Sequence, residues 1–244
     1  MATSSSMLTF KNGPISINGY CALPGGPGPH PAVIVIHEVF GVTDHIKEVC
    51  NRIAAEGYLA LAVDLYSRQG MPNGLTDTKA ILEFMATISD AQAVSDLVAG
   101  VEYLRGRQDA RRESIGVVGF CMGGTYTHML ACSTKHLVCA ASFYGGLRWP
   151  HHTQNKPRDA MDMTGDLGCP ILSIFGDKDP TIPLTQVREL QDLLTKLGKR
   201  HEVIVYPGAG HAFFNDTRPT YHAESAKDAW KRLRAFFAEN LSRS

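Results

Sequence analysis

The 244-residue chain has no excess of either charge: 24 Lys and Arg stand against 24 Asp and Glu. That balance gives no electrostatic reason to expect a nucleic acid or an anionic membrane as partner. No stretch approaches the roughly 18 consecutive apolar residues of a membrane helix. Met1–Thr9 lacks the basic start and apolar core of a secretory signal. The six cysteines, Cys21, Cys50, Cys121, Cys132, Cys139 and Cys169, include no CxxC pair. Such scattered thiols predict a cytoplasmic protein with free cysteines, most of them small buried hydrophobes. There is also no internal repeat and no low-complexity linker. What is present is an ordinary globular composition, 44% hydrophobic and 20% charged. It suffices for one sizeable core, and a single domain over 1–244 is expected.

The elements alternate along the chain. Pro31–His37 (PAVIVIH) is a continuous apolar, β-branched run, as expected of a strand buried on both faces. Thr43–Glu56 places Ile46, Cys50 and Ile53 on one helical face; Thr43 or Asp44 can cap it and Gly57 can stop it. Further strands are predicted at Tyr58–Val63, Ser114–Gly119, Leu137–Phe143, Ile171–Phe175 and Val203–Tyr206. Further helices are predicted at Asp90–Leu104, from about Gly123, at Leu184–Leu197 and at Tyr221–Asn240. The Pro/Gly run Pro24–Pro31 reads as a surface turn leading into the first of these strands. Alternating strands and helices with doubly buried strands imply an α/β fold: a mostly parallel sheet with helices on both faces, in three layers. Ligands then sit at the carboxyl ends of the strands. Four reactive residues follow strands directly: Glu38, Cys121, Asp179 and His211.

The sequence Ser114–Gly124, SIGVVGFCMGG, runs an apolar strand into Gly119-Phe120-Cys121-Met122-Gly123. This has the form of a G-x-S-x-G nucleophile elbow with cysteine in place of serine; the alternative is a buried thiol beside glycines that close a strand-to-helix turn. Side chains two positions either side of the nucleophile would collide with neighbouring backbone, so glycine is required there. The turn sets the sulfur at a helix N-terminus, whose free N–H groups favour a thiolate. His211 lies in a glycine-flanked loop after a strand, where this fold carries its general base. Asp179, in Gly176-Asp177-Lys178-Asp179-Pro180, can accept the Nδ1 proton of that histidine; Pro180 biases it to an extended conformation. Asp177 is its local competitor, or else a turn cap. The order nucleophile, acid, histidine is the order this fold uses. Of the other histidines, His45, His136, His201 and His222 read as exposed helix or turn residues. His151 and His152 fall in an irregular loop, as solvated residues or as part of the site wall.

These residues resemble the dienelactone hydrolase (carboxymethylenebutenolidase) family, over roughly Ile15–Phe237. The resemblance is carried by His37-Glu38-Val39-Phe40-Gly41-Val42, Asp64-Leu65-Tyr66-Ser67-Arg68, the cysteine elbow, Phe143-Tyr144-Gly145, Gly176-Asp177-Lys178-Asp179 and Ala209-Gly210-His211-Ala212-Phe213. It implies a monomeric, cytosolic α/β-hydrolase that needs no cofactor and no metal. It also implies that Glu38 contacts the nucleophilic cysteine and helps control its ionisation. The alternative for Glu38 is a buried glutamate bonded to backbone. Val39 N–H and Met122 N–H are the expected oxyanion donors, since the fold builds that hole from these two loops.

The expected chemistry is hydrolysis of a small-molecule ester or lactone: Cys121 attacks, an acyl-thioester forms, and His211, steered by Asp179, moves the proton. A non-catalytic binding protein or a redox sensor on the same scaffold is the alternative. Tyr144, Lys79 and Asn215 are the candidate substrate-binding residues, with core packing the rival reading for Tyr144. Trp149 and the loop to Asp166 are candidates for shaping the pocket. Two departures from the family bear on substrate. Members acting on dienelactone bind its carboxylate with two arginines, one of them four residues past the catalytic histidine; here that position is Asn215. Between Arg68 and Arg105 the only cation is Lys79. Ala212 stands where dienelactone-active members carry serine. Preference for neutral esters is the consequence expected.

Overall fold

Strands that are apolar on both faces can only be buried by covering both, and the chain does so around one sheet. The computed structural model describes residues 3–71, 75 and 77–241. It contains strands β1 (Ser4–Asn12), β2 (Ile15–Leu23), β3 (His30–Ile36), β4 (Leu59–Val63), β5 (Ala110–Phe120), β6 (Cys139–Phe143), β7 (Ile171–Gly176) and β8 (His201–Tyr206). They form one sheet in the order β1-β2-β4-β3-β5-β6-β7-β8. β1 pairs antiparallel with β2 and β2 antiparallel with β4; from β4 to β8 every neighbouring pair is parallel. The central strands β3, β4 and β6 are almost wholly inaccessible, as their unbroken apolar sequences require.

The helices are α1 (Asp44–Ala55), α2 (Thr78–Thr87), α3 (Asp90–Arg105), α4 (Met122–Ser133), α5 (Leu184–Lys196) and α6 (Ala223–Asn240), with a short 3₁₀ turn at Met161–Asp166. α1 and α6 pack together on one face: Tyr58 meets Phe237, Arg52 lies 4.2 Å over Trp230, and Arg234 pairs with Glu56 at 2.8 Å. α3, α4 and α5 cover the other face. α1 starts as its sequence predicts, with the Thr43 side chain accepting from Ile46 N–H, and Gly57 beyond its end adopts φ 93°.

Four features differ from the sequence reading. The β1–β2 hairpin was not anticipated. β1 is an exposed edge strand that begins on three serines and buries only Phe10, so it carries no apolar run to read. α2 was also missed; it follows Asp77, whose side chain caps it by accepting from Ala80 N–H. His45 is buried rather than exposed, held between α1 and the loop after β8 by a 3.3 Å contact to Asp216. His222 is the N-cap of α6, its ring accepting from Ser225 N–H.

Candidate active site

Six strand ends converge at the carboxyl edge of the sheet, and each contributes one residue: Glu38 after β3, Tyr66 after β4, Cys121 after β5, Tyr144 after β6, Asp179 after β7 and His211 after β8. Cys121 takes φ 56° and ψ −120°, a conformation costly for any residue with a Cβ. It is held there by its N–H bond to Phe143 O at 3.0 Å and by the start of α4 at the next residue. The elbow leaves no room around it. A Cβ on Gly119 would lie 2.1 Å from Gly123 O, and one on Gly123 would lie 2.3 Å from Ile36 O. Glycine at both positions is thus required by close backbone approach.

Cys121, His211 and Asp179 are brought together. His211 Nε2 lies 3.1 Å from Cys121 Sγ, and His211 Nδ1 lies 2.7 Å from Asp179 Oδ2. The second carboxylate oxygen, Oδ1, accepts from Thr181 N–H (2.8 Å), Thr181 Oγ1 (2.7 Å) and Ile182 N–H (3.2 Å). Those donors fix which oxygen faces the histidine. Asp177 is turned away, its Oδ1 accepting from Gly208 N–H at 2.7 Å. Burial opposes charge on His211, yet its interactions with Cys121 and with the Asp179 carboxylate outweigh it and raise its pKa from 6.5 to about 10. Burial likewise works against ionised Asp179, but the bonds from His211 and Thr181 hold it below the usual carboxylate range. The histidine rests on an aromatic bed: Tyr144 meets it edge-on at 5.3 Å, and Phe213, Phe143, Phe120 and Phe214 pack behind. Each such pair adds about 0.5–1.5 kcal/mol beyond its burial, so the loop bearing His211 is anchored by its neighbours.

Met122 directly follows Cys121, and Val39 lies in the loop after β3. Among the described residues neither backbone N–H has a protein acceptor. Met122 opens α4, where a helix leaves its first donors free.

Glu38 is drawn toward Asn215. Its Oε2 accepts from Asn215 Nδ2 at 2.7 Å, and among the described residues its Oε1 has no hydrogen-bond partner. The orientation of the Asn215 amide is set by Thr217, whose N–H and Oγ1 both donate to Asn215 Oδ1. Asn215 is therefore committed to Glu38. Tyr144 is fully buried with φ 40°, and its hydroxyl has no hydrogen-bond partner among the described residues. Lys79 is not brought to the site: its side chain is 85% exposed on α2, 3.8 Å from Glu83. Arg68 is bound to Asp96 by two hydrogen bonds. Arg218 lies 4.1 Å over the Phe40 ring and has no acidic partner among the described residues. His151 and His152 are exposed. The loop from Trp149 is strapped down by a buried network, in which Lys156 Nζ donates to Asp90 (2.6 Å) and Tyr126 (2.8 Å) and Trp149 Nε1 donates to Asp90 (3.1 Å). No group of three or more His, Cys, Asp or Glu side chains among the described residues could hold a metal ion.

Three residues around the site escaped the sequence reading: Thr181, Tyr66 and His37. Thr181 follows Asp179-Pro180, a turn signal that foretells a hydroxyl beside the carboxylate. Tyr66 and His37 lay in quoted motifs, but nothing in one dimension shows that their strand ends are neighbours.

The sequence model of the dienelactone hydrolase family matches residues 17–241. A protein of Methylorubrum extorquens provisionally named a carboxymethylenebutenolidase is 39% identical over 224 residues, 91% of this chain and 77% of that protein. A Synechocystis protein of the same provisional name is 36% identical over 242 residues, covering 97% of each chain. A crystal structure from Klebsiella pneumoniae, provisionally named a dienelactone hydrolase, superimposes with a TM-score of 0.91 at 36% identity, over 98% of this chain and 100% of that one.

Proposed function

The chain belongs to the dienelactone hydrolase family, whose members hydrolyse ester and lactone bonds, and from that premise we propose that it does so through a Cys121–His211–Asp179 triad and an acyl-thioester. The supporting observation is the unbroken line from Sγ to Nε2 (3.1 Å) and from Nδ1 to Oδ2 (2.7 Å), ending on a carboxylate whose other oxygen is already saturated.

In this reading the Cys121 thiolate attacks the carbonyl carbon and the carbonyl oxygen takes the negative charge. Val39 and Met122 N–H, free of protein acceptors, receive that oxyanion. The C–O bond breaks, and the leaving oxygen takes the proton from His211 Nε2. His211 then removes a proton from water, which attacks the thioester; the thiolate leaves and the acid is released. Asp179 keeps the histidine in the tautomer with Nδ1–H throughout. Glu38, drawn to Asn215, supports the site from the oxyanion loop without competing for the thiol. Small neutral activated esters, aryl esters and lactones are the substrates of choice, because the position of the family's carboxylate-binding arginine is Asn215 and Lys79 is on the surface. The test is Cys121→Ala, assayed with p-nitrophenyl acetate. Turnover is expected to drop by about 10⁴-fold or more with the fold intact by circular dichroism. Retention of most activity would refute the thiol mechanism.

A further inference from the structure

Tyr66 makes no hydrogen bond to the thiol or the imidazole among the described residues, yet it spans the two loops beside them. Its hydroxyl donates to Val39 O at 2.8 Å and lies 3.6 Å from Met122 Sδ. Val39, in the loop after β3, and Met122, at the start of α4, are 83 residues apart in sequence, and among the described residues neither of these expected oxyanion donors has a protein acceptor for its N–H. A single phenol thus anchors the backbone of one while its oxygen rests against the side-chain sulfur of the other. Its ring is gripped on two sides, by His37 at 4.9 Å and by Phe84 at 5.1 Å.

His37 extends the same brace. Leu65 N–H donates to His37 Nε2 at 3.1 Å, so Nε2 must be the acceptor and the ring proton sits on Nδ1. That proton is donated to Glu38 O. The peptide between Glu38 and Val39 is therefore held from one end by His37 and from the next carbonyl by Tyr66. Burial keeps His37 neutral and keeps the Tyr66 phenol protonated, with the charges of Cys121 and Asp64 adding to the latter. Since the one proton of Tyr66 is committed to Val39 O, Tyr66 is not itself an oxyanion donor.

From this geometry we infer that Tyr66 is a positioning residue that sets the spacing of the Val39 and Met122 N–H groups, and so tunes transition-state stabilisation without affecting the thiolate. The inference rests on the reading of Val39 and Met122 as oxyanion donors. An oxyanion hole works only if its donors are aimed where charge develops. Val39 O lies in the peptide after the one that carries Val39 N–H; freed from its anchor, it lets the Val39 backbone torsions change and so re-aims that N–H.

The experiment compares two reactions of one sulfur in Tyr66→Phe, which keeps the ring between His37 and Phe84. Hydrolysis of p-nitrophenyl acetate passes through an oxyanion; alkylation by iodoacetamide is a displacement at a saturated carbon and does not. Complete loss of a donor costs about 10²–10³-fold, so mispositioning one is expected to lower kcat about 10- to 100-fold, with KM within about twofold. The alkylation rate should stay within about twofold of wild type. Unchanged hydrolysis would overturn the inference. So would a loss lying entirely in KM, or an equal fall in both reactions, which would place Tyr66 in the thiolate's own environment or in the fold. If instead Cys121→Ala remains active, it is the underlying mechanism that fails, and the two failures are thereby told apart.

Discussion

Replacing Asp179 by Asn tests the histidine geometry most sharply, because the surroundings dictate how the amide must sit. Three donors, Thr181 N–H, Thr181 Oγ1 and Ile182 N–H, converge on Oδ1. They will retain the amide oxygen of Asn at that position. The NH₂ group then replaces Oδ2 and presents a donor to His211 Nδ1. The ring must give up its Nδ1 proton and carry one on Nε2, facing Cys121 Sγ, where it cannot accept the thiol proton. The charge is lost as well. At roughly 4 Å between charge centres and an effective dielectric of about 20, the Asp179–imidazolium attraction amounts to about 4 kcal/mol, near three decades in rate. A fall in kcat of about 10³-fold is expected with p-nitrophenyl acetate. The high-pH limb of the profile should also move down, since the His211 pKa, raised to about 10 in the native site, loses one of the two charges that raise it. Asp177→Asn keeps an oxygen for Gly208 N–H and is expected to change turnover less than threefold. A Asp179→Asn variant within tenfold of wild type, or equal losses at the two positions, would refute this account.

Three further outcomes follow from the same contacts. With Asn215 bound to Glu38 and Lys79 at the surface, a small neutral aryl ester should be cleaved with kcat/KM at least equal to that for a dienelactone. A strong preference for the dienelactone, abolished by Arg218→Ala or Lys79→Ala, would show that one of those cations binds the substrate carboxylate. Lys156→Ala leaves Asp90 buried without its cation, though Tyr126 and Trp149 still donate to it. The cost is expected at the lower end of that for breaking a buried pair, about 3 kcal/mol, or a Tm about 6–12 °C lower; an unchanged melting curve would contradict the strap. Because the folded pKa of His211 is raised from 6.5 to about 10, its contribution to stability is complete below pH 6.5 and lost as pH rises through about 10. Urea midpoints for wild type and Asp179→Asn should therefore differ at pH 6 and converge above pH 10.5, and a constant gap would argue against the pair.

Much of the architecture was legible because burial on both faces leaves its mark on composition. β3, β4 and β6 read as unbroken apolar runs, and α1 as a capped helix with a three-to-four residue stripe. β1 did not, since an edge strand facing water has no apolar signature and is defined by its partner β2. The elbow glycines were legible for a related reason. Backbone packed within 2.1–2.3 Å of a hypothetical Cβ tolerates no other residue, and that demand appears directly in the letters. His45 shows the reverse: its helical spacing was read correctly, but its burial depends on Asp216 and Phe214, which lie some 170 residues away.

Taken alone, the sequence determined the alternation of strands and helices, the reactive residues at strand ends and their order, because local backbone preferences and burial periodicity are written residue by residue. Only the tertiary structure decided which partner each side chain takes. The choice of Asp179 over Asp177 at His211 depended on where Gly208 lies, and the pairing of Glu38 with Asn215 rather than Cys121 on two Thr217 donors. The span of Tyr66 across two loops depended on β4 and β5 flanking β3. A hydrogen bond is decided within a few tenths of an ångström, and groups that distant in sequence meet at that precision only once the sheet has set the spacing of their strands.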